Sequence, residues 1–244
     1  MLTLIRQELY KQLHGKFYIG WGIVILTITL FSGYSYQKLN IGINSVFRIF
    51  SNGNTMIMIA MIIFASSILT VDFSQNTVKY LFARQFSRGK ILISKLITIL
   101  VMYIYLNIVN FATTEISNFI FNKNGSWNFT ETFSYIKYMS LYLFLLLSMV
   151  LLISNIFKSN AVAIAIGIVF VYVSQTINSI ITLFTQNHSW VRFNPLNFLN
   201  VRMYADPALK QPTNLSLIQI EIGAIIWGIV FLLITYVVYN RRNV

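Results

Sequence analysis

Few side chains in this sequence could perform catalysis or bind a metal ion. The 244 residues include no cysteine, two histidines and six acidic residues. Without cysteine the chain has no disulfide, no thiolate metal ligand and no cysteine nucleophile. His14 and His188 are far apart in the sequence, and neither has carboxylates nearby at the spacing of metal ligands. We therefore expect neither an enzyme active site nor a metal or cofactor bound to this chain.

A nucleotide-binding loop is also missing from the sequence. Such a loop has the pattern G-x-x-x-x-G-K-[ST], in which backbone amides and a lysine hold the phosphates. Gly15 and Gly20 have the required glycine spacing, but Trp21 stands where the lysine is needed. The sequence thus predicts no ATP site in this chain.

Polar side chains that could contact a transported molecule stand within otherwise apolar sequence. Asn107 and Asn110 share one helical face with Thr114, and Glu115 follows at the end of the same stretch. An ionisable group at the end of a membrane span can mark a substrate path, to which the aromatic Tyr172 of a later stretch could also belong. Alternatively, the amides and hydroxyl only bond to neighbouring helices, and Glu115 is solvated at the membrane interface.

The segment 72–95 combines an apolar helical face with basic side chains. Helical spacing places four apolar residues on one face and two arginines together on another: Val78, Leu81, Phe82 and Phe86, and Arg84 and Arg88. Such a helix can lie on lipid, with its basic side chains among the headgroups, or dock into a groove of a partner protein. Periodicity alone leaves both interpretations open.

The elements that would position these residues follow from the distribution of charge. Hydrophobic residues make up 57% of the chain and charged residues 10%, far below the roughly 25% of soluble domains. Six stretches lack Asp, Glu, Lys and Arg, and each is long enough to cross a hydrocarbon layer of about 30 Å as a helix. They predict an all-α polytopic membrane protein, a single domain over residues 1–244, with spans at 17–37, 49–71, 96–114, 138–157, 160–184 and 222–240.

The segments outside these spans have their own patterns. Residues 1–16 place Leu2, Ile5, Leu9 and Leu13 on one face, which predicts an amphipathic helix on the membrane surface. Residues 72–95 form a long loop on the side of the N-terminus. Residues 185–216 form a loop on the opposite side and hold all three prolines.

Lysine and arginine are concentrated on one side of the predicted spans. Eleven of the eighteen lie in the N-terminal segment, the second and fourth loops and the C-terminus, although these segments are shorter in total than the others. The positive-inside rule therefore places both termini in the cytoplasm. The net charge of +12 then reflects topology and contact with anionic lipids, and nucleic-acid binding is not expected. The abundance of Ile, Asn, Lys, Phe and Tyr favours a bacterial cell membrane.

Given these predicted spans, the loop 72–95 follows the second span and resembles the corresponding loop of a known family. It is similar to the membrane subunits of type-2 ABC exporters, whose loop after the second span reads acid-Phe-x-x-Gly-Thr, a Leu pair, Arg-Pro-x-Ser-Arg, and Lys at the start of the third span. Eight residues fit in register: Asp72, Phe73, Thr77, Leu81, Arg84, Ser87, Arg88 and Lys95. Asn76 replaces the usual Gly and Gln85 the usual Pro. The six spans and the amphipathic N-terminal helix extend the resemblance over the whole chain.

The resemblance implies a permease that forms half of a transporter. Two such chains, identical or paralogous, pair in the membrane, and a separate ATPase that binds ATP and Mg²⁺ docks beneath each. In this family the cytoplasmic loop carries a coupling helix that contacts the ATPase. The resemblance assigns that role to Thr77, Leu81, Phe82, Arg84, Phe86, Ser87 and Arg88.

Aromatic residues make up 16% of the chain, and many lie in the predicted spans. A cavity built from them would be apolar and adaptable, which favours a hydrophobic or amphipathic substrate. Small permeases that resemble this one often export membrane-active peptides or protect against them. We therefore expect an antimicrobial or cytolytic peptide, with a hydrophobic drug next. The alternative class is a secondary transporter or channel for a hydrophobic small molecule, which the charge-free spans disfavour.

Overall fold

The structure, a computed structural model, describes residues 2–39, 45–74, 87–121, 125–184, 189–205 and 213–241. Within these ranges the chain is helical, with no β-strand. The α-helices are α1 (Leu2–His14), α2 (Phe17–Lys38), α3 (Ser45–Ser74), α4 (Arg88–Phe121), α5 (Phe129–Ser154), α6 (Asn160–Phe184) and α7 (Leu217–Arg241). The 3-10 helices Ser189–Phe193 and Asn197–Tyr204 lie between α6 and α7.

Among the described residues, six helices are long and apolar enough to cross a membrane. They are α2 to α7. The all-α fold with six membrane-spanning helices, predicted from the charge-free stretches, is thereby confirmed. The predicted coupling helix runs from Thr77 to Arg88, and its residues 77–86 lie outside the described residues.

Most helices extend beyond the spans predicted from charge. The predictions 17–37 and 160–184 agree with α2 and α6 to within one residue. In contrast, α4 begins at Arg88 instead of 96 and ends at Phe121 instead of 114, and α5 begins at Phe129 instead of 138. At 1.5 Å per residue the 34 residues of α4 measure about 51 Å, well above the roughly 30 Å of hydrocarbon. Charge-free sequence therefore marks the hydrocarbon crossing, while the helix continues into the polar layers.

Helix α1 is amphipathic, and its apolar face is turned outward. Leu2 and Leu13 are exposed, whereas Leu4 and the acidic Glu8 are buried. Lys16, with a left-handed φ of 55°, separates α1 from α2. An exposed apolar face on a short helix joined to a span fits a helix that lies on lipid.

The chain divides into two compact units, and α3, α4 and α5 each have residues in both. The first unit comprises residues 1–64 and 89–132, and the second comprises 65–88 and 133–244. In the first unit the Ser117 hydroxyl donates to the carbonyl of Thr29 at 2.9 Å, which joins α4 to α2. In the second unit the amide of Asn155 donates to the carbonyl of Thr235 in α7 at 3.1 Å. Each unit thus contains polar bonds between helices, as is common where helices pack inside a membrane.

Candidate functional site

The polar face of α4 in the first unit contains the predicted residues Asn107 and Asn110. Asn110 is fully buried, and its Nδ2 donates to the carbonyl of Phe50 in α3 at 3.0 Å. Gly53 of α3 permits this approach, because a Cβ there would overlap Asn110 Oδ1. Asn107 Nδ2 donates within its own helix to the carbonyl of Tyr103 at 2.8 Å. Asn110 therefore joins α4 to α3, in agreement with the interpretation that these amides bond to neighbouring helices.

Several polar atoms of this face remain available for a ligand or for water. Three residues of α4 and one of α3 are among the described residues whose side chains present a buried oxygen with no hydrogen-bond partner: Asn107, Asn110 and Thr114, and Asn54. Asn54, next to Gly53 in α3, is fully buried, and its amide nitrogen also has no partner in the described part of the chain. Unbonded polar groups are costly in an apolar medium. The α3–α4 contact is therefore where a polar group of a ligand, or ordered water, would gain hydrogen bonds.

Glu115 belongs to a different surface of the first unit. Its Oε2 accepts a hydrogen bond from Trp127 Nε1 at 2.5 Å, and the Trp127 ring stacks on Phe111 with centroids 4.3 Å apart. Five residues separate Glu115 from Asn110, which corresponds to about 140° around the helix. The structure thus places Glu115 in an exposed aromatic cluster and away from the buried amides.

Tyr172 lies on α6 in the second unit. Its side chain is 65% exposed, so it is not part of the buried interior of that unit. Of the four residues predicted for a substrate path, only Asn107 and Asn110 share a face in the structure.

The predicted ATPase contacts are only partly described. Thr77, Leu81, Phe82, Arg84 and Phe86 lie outside the described residues. Ser87 is exposed and immediately precedes α4. Arg88, the first residue of α4, donates from Nη1 to the carbonyl of Asn240, and the carbonyl of Tyr239 lies 3.5 Å away. These carbonyls are among the last of α7, where a helix lacks internal donors and a cation is favourable. Arg88 therefore caps α7 within the second unit.

A buried charge pair in the first unit was not anticipated from the sequence. Lys95 Nζ of α4 lies 3.5 Å from Glu8 Oε2 of α1, and the two side chains are 2% and 4% exposed. Lys11, which is 43% exposed, lies 3.4 Å from the other carboxylate oxygen. The sequence feature that could have indicated this pair is Glu8, the sole acidic residue of a basic amphipathic helix. In the described ranges, no group of three His, Asp or Glu side chains could hold a metal ion.

Comparison with known proteins places the chain among membrane proteins. A family model described as "Protein of unknown function (DUF2705)" matches residues 23–244. The chain belongs to this family. The match begins within α2 and includes α3 to α7, so DUF2705 membership rests on the membrane helices. The chain is also similar to the "Uncharacterized membrane protein YdbK" of Bacillus subtilis (strain 168), with 24% identity over 197 residues, 78% of this chain and 79% of that protein.

Proposed function

We propose that this chain is the membrane permease subunit of a type-2 ABC exporter. The observation that carries the proposal is the loop sequence from Asp72 to Lys95, which fits the family pattern in register. Helices α3 and α4 flank this loop, which supports its position after the second span and before the third. The permease forms the translocation path together with a second copy or a paralogue, and ATP hydrolysis takes place in a separate subunit.

The proposed ATPase contact can be tested by replacing apolar residues of the loop with alanine. Leu81→Ala and Phe82→Ala should each reduce co-purification of the ATPase, because a buried apolar anchor can contribute about 2 kcal/mol or more to binding. Tyr80→Ala is the matched control, since helical spacing puts Tyr80 on the opposite face. Membrane insertion should be unchanged in all three. Equal ATPase yield in the three variants and the wild type would mean that the helix lies on lipid instead.

The orientation is part of the same proposal. We infer that both termini are cytoplasmic, and the support is the excess of Lys and Arg in the corresponding segments. The chain lacks native cysteine, so single cysteines can be introduced at Ser126, Lys210 and Asn243. An impermeant thiol reagent added to intact cells should label the first two positions and not the third. The reverse labelling pattern would place the termini outside.

The substrate is proposed to be an amphipathic, membrane-active peptide. Support comes from the many aromatic side chains and from the long charge-free stretches within the spanning helices. Deletion of the gene should lower survival in a panel of such peptides, or cause the cell's own secreted peptides to be retained. If neither changes and resistance to a small hydrophobic drug falls, the drug is the substrate and the peptide assignment is wrong.

A second candidate function is a secondary transporter or channel. The observation that favours it is the set of buried polar atoms at the α3–α4 contact that lack partners among the described residues, since polar groups in the membrane often mark transport paths. Transport by the purified chain in vesicles, driven by an ion gradient without any ATPase, would support this function. Strict dependence on a co-purified ATPase would support the exporter.

A further inference from the structure

An apolar pocket in the second unit is distinct from the α4 face. Its volume is about 660 Å³, within the usual range for sites that bind small molecules. The end of α6, the first 3-10 helix and the residues after it, and the middle of α7 form its walls: Ile181, Phe184, Trp190, Val191, Phe193, Asn194, Pro195 and Trp227. Four of these eight residues are aromatic and only Asn194 is polar, so the pocket suits an apolar ligand.

Hydrogen bonds of asparagine side chains hold the pocket wall in place. Asn197 Nδ2 donates to the carbonyls of Arg192 at 2.8 Å and Thr213 at 3.1 Å. Asn178 of α6 donates to Asn200 Oδ1 at 2.9 Å, which ties the second 3-10 helix to α6. The Oδ1 of Asn194, the one polar side chain of the lining, accepts from the backbone amide of Leu196 at 2.9 Å. These hydrogen bonds hold the wall in place, and the carbonyl oxygen of the Asn194 side chain is already engaged.

The lining discriminates between two kinds of apolar ligand. A peptide segment would bring backbone N–H and C=O groups into the pocket, where a mostly apolar lining gives them few partners and their burial is costly. A lipid acyl chain has no such groups. Trp190 is 74% exposed and Phe184 is 57% exposed, so aromatic rings of the lining are also open to the surroundings of the helices. Exposed aromatic rings at a helix end are typical of the lipid–water interface.

A cation lies against one wall of the pocket. The guanidinium of Arg192 is 4.9 Å from the ring centre of Phe193, which lines the pocket. Among the described residues, the buried Nε of Arg192 has no hydrogen-bond partner. Guanidinium groups bind phosphate oxygens through several parallel hydrogen bonds. An apolar pocket beside an arginine is complementary to a molecule with an apolar chain and an anionic phosphate head.

We propose that this pocket binds one acyl chain of an anionic phospholipid, whose phosphate pairs with Arg192. The proposal does not depend on the exporter assignment, because it rests on the second unit alone. Its test therefore needs only the purified chain and no transport assay.

The experiment is native mass spectrometry of the delipidated chain titrated with phosphatidylglycerol or with a diacylglycerol of the same acyl chains, which has no phosphate. The wild type should retain phosphatidylglycerol, with affinity about tenfold above that for the diacylglycerol, and Arg192→Gln should remove this preference. Ile181→Trp fills the pocket and should abolish retention. Ile180→Trp, the matched control, adds the same group to an exposed neighbour outside the lining and should retain the lipid.

Three outcomes would overturn the proposal. Equal retention of both lipids by the wild type would exclude a role for the anionic headgroup, and equal retention by Ile181→Trp and Ile180→Trp would place the lipid elsewhere. In a parallel titration with an amphipathic helical peptide, retention of the peptide in place of lipid, lost in Ile181→Trp, would identify the occupant as a peptide. If Ile181→Trp fails to fold, the comparison of the two lipids in the wild type and Arg192→Gln still tests whether the phosphate pairs with Arg192.

Discussion

Replacing Glu8 with Gln is expected to destabilise the protein by about 3 kcal/mol. The change removes the negative charge beside Lys95, whose side chain is 2% exposed, and neutral amides stabilise a buried ammonium group less than a carboxylate does. Because the pair joins α1 to α4, the interfacial helix should detach first. The measurement is the fraction folded as sodium dodecyl sulfate is added to mixed micelles.

An exposed charge pair, Lys137 and Glu221, provides the matched control. Lys137 and Glu221 are 2.7 Å apart in the second unit, but Lys137 is 56% exposed. Lys137→Met should therefore change the unfolding free energy little, since exposed pairs are solvated and screened. Lys95→Met should be strongly destabilising, and the double variant Glu8→Gln, Lys95→Met should cost less than the sum of the single variants. Similar effects of Lys95→Met and Lys137→Met would show that burial of the Glu8–Lys95 pair is unimportant.

Gly53→Ala is expected to cost up to about 3 kcal/mol of stability. The new Cβ would overlap Oδ1 of Asn110 and lie 2.8 Å from its Cγ, so the amide must move. Movement would break its bond to the carbonyl of Phe50 and open the α3–α4 contact. The same unfolding measurement applies, with a lower yield of folded protein as a second sign.

Gly20 provides the control for this substitution. A Cβ at Gly20 meets no atom within 4 Å, so Gly20→Ala should be neutral or stabilise α2 by up to about 1 kcal/mol. In an Asn110→Ala background the overlap with the amide is absent and only the 3.1 Å contact with Thr29 Cγ2 remains, so Gly53→Ala should then cost much less. An equally large cost in that background would mean that the close approach at Asn110 is not what Gly53 provides.

The membrane fold could be predicted from the sequence because hydrocarbon imposes a strong rule. A charge within the apolar layer is costly, so charge-free stretches locate the spans, as for α2 and α6. The rule does not apply outside the layer. For that reason it missed the additional turns of α4 from Arg88 and of α5 from Phe129. The amphipathic pattern of residues 1–16 predicted α1 equally well.

Residue roles that depend on tertiary contacts could not be predicted in this way. The resemblance assigns Arg88 to an ATPase contact, and no local pattern predicts that its guanidinium also meets carbonyls more than 150 positions along the chain. Glu8 lies on the polar face of α1, and sequence periodicity gave no reason for that face to be buried against Lys95. Asn107 and Asn110 were placed on one face because helical geometry requires it. Glu115 was grouped with them as an ionisable residue at the end of the same span, and Tyr172 as an aromatic residue of a later span. Neither property determines which way a side chain points.

In several contacts between helices of this chain, a side chain donates a hydrogen bond to a main-chain carbonyl. The acceptors for Arg88, Asn110, Ser117 and Asn155 are all backbone oxygens of other helices. Every residue type has such an oxygen, so substitution at the accepting position leaves the acceptor in place. During evolution the donor side chain is constrained, while the residue that provides the carbonyl can be substituted. Pairs of positions joined in this way would show no correlated substitutions among relatives, and two homologues could keep the same helix packing with little identity at the contacts.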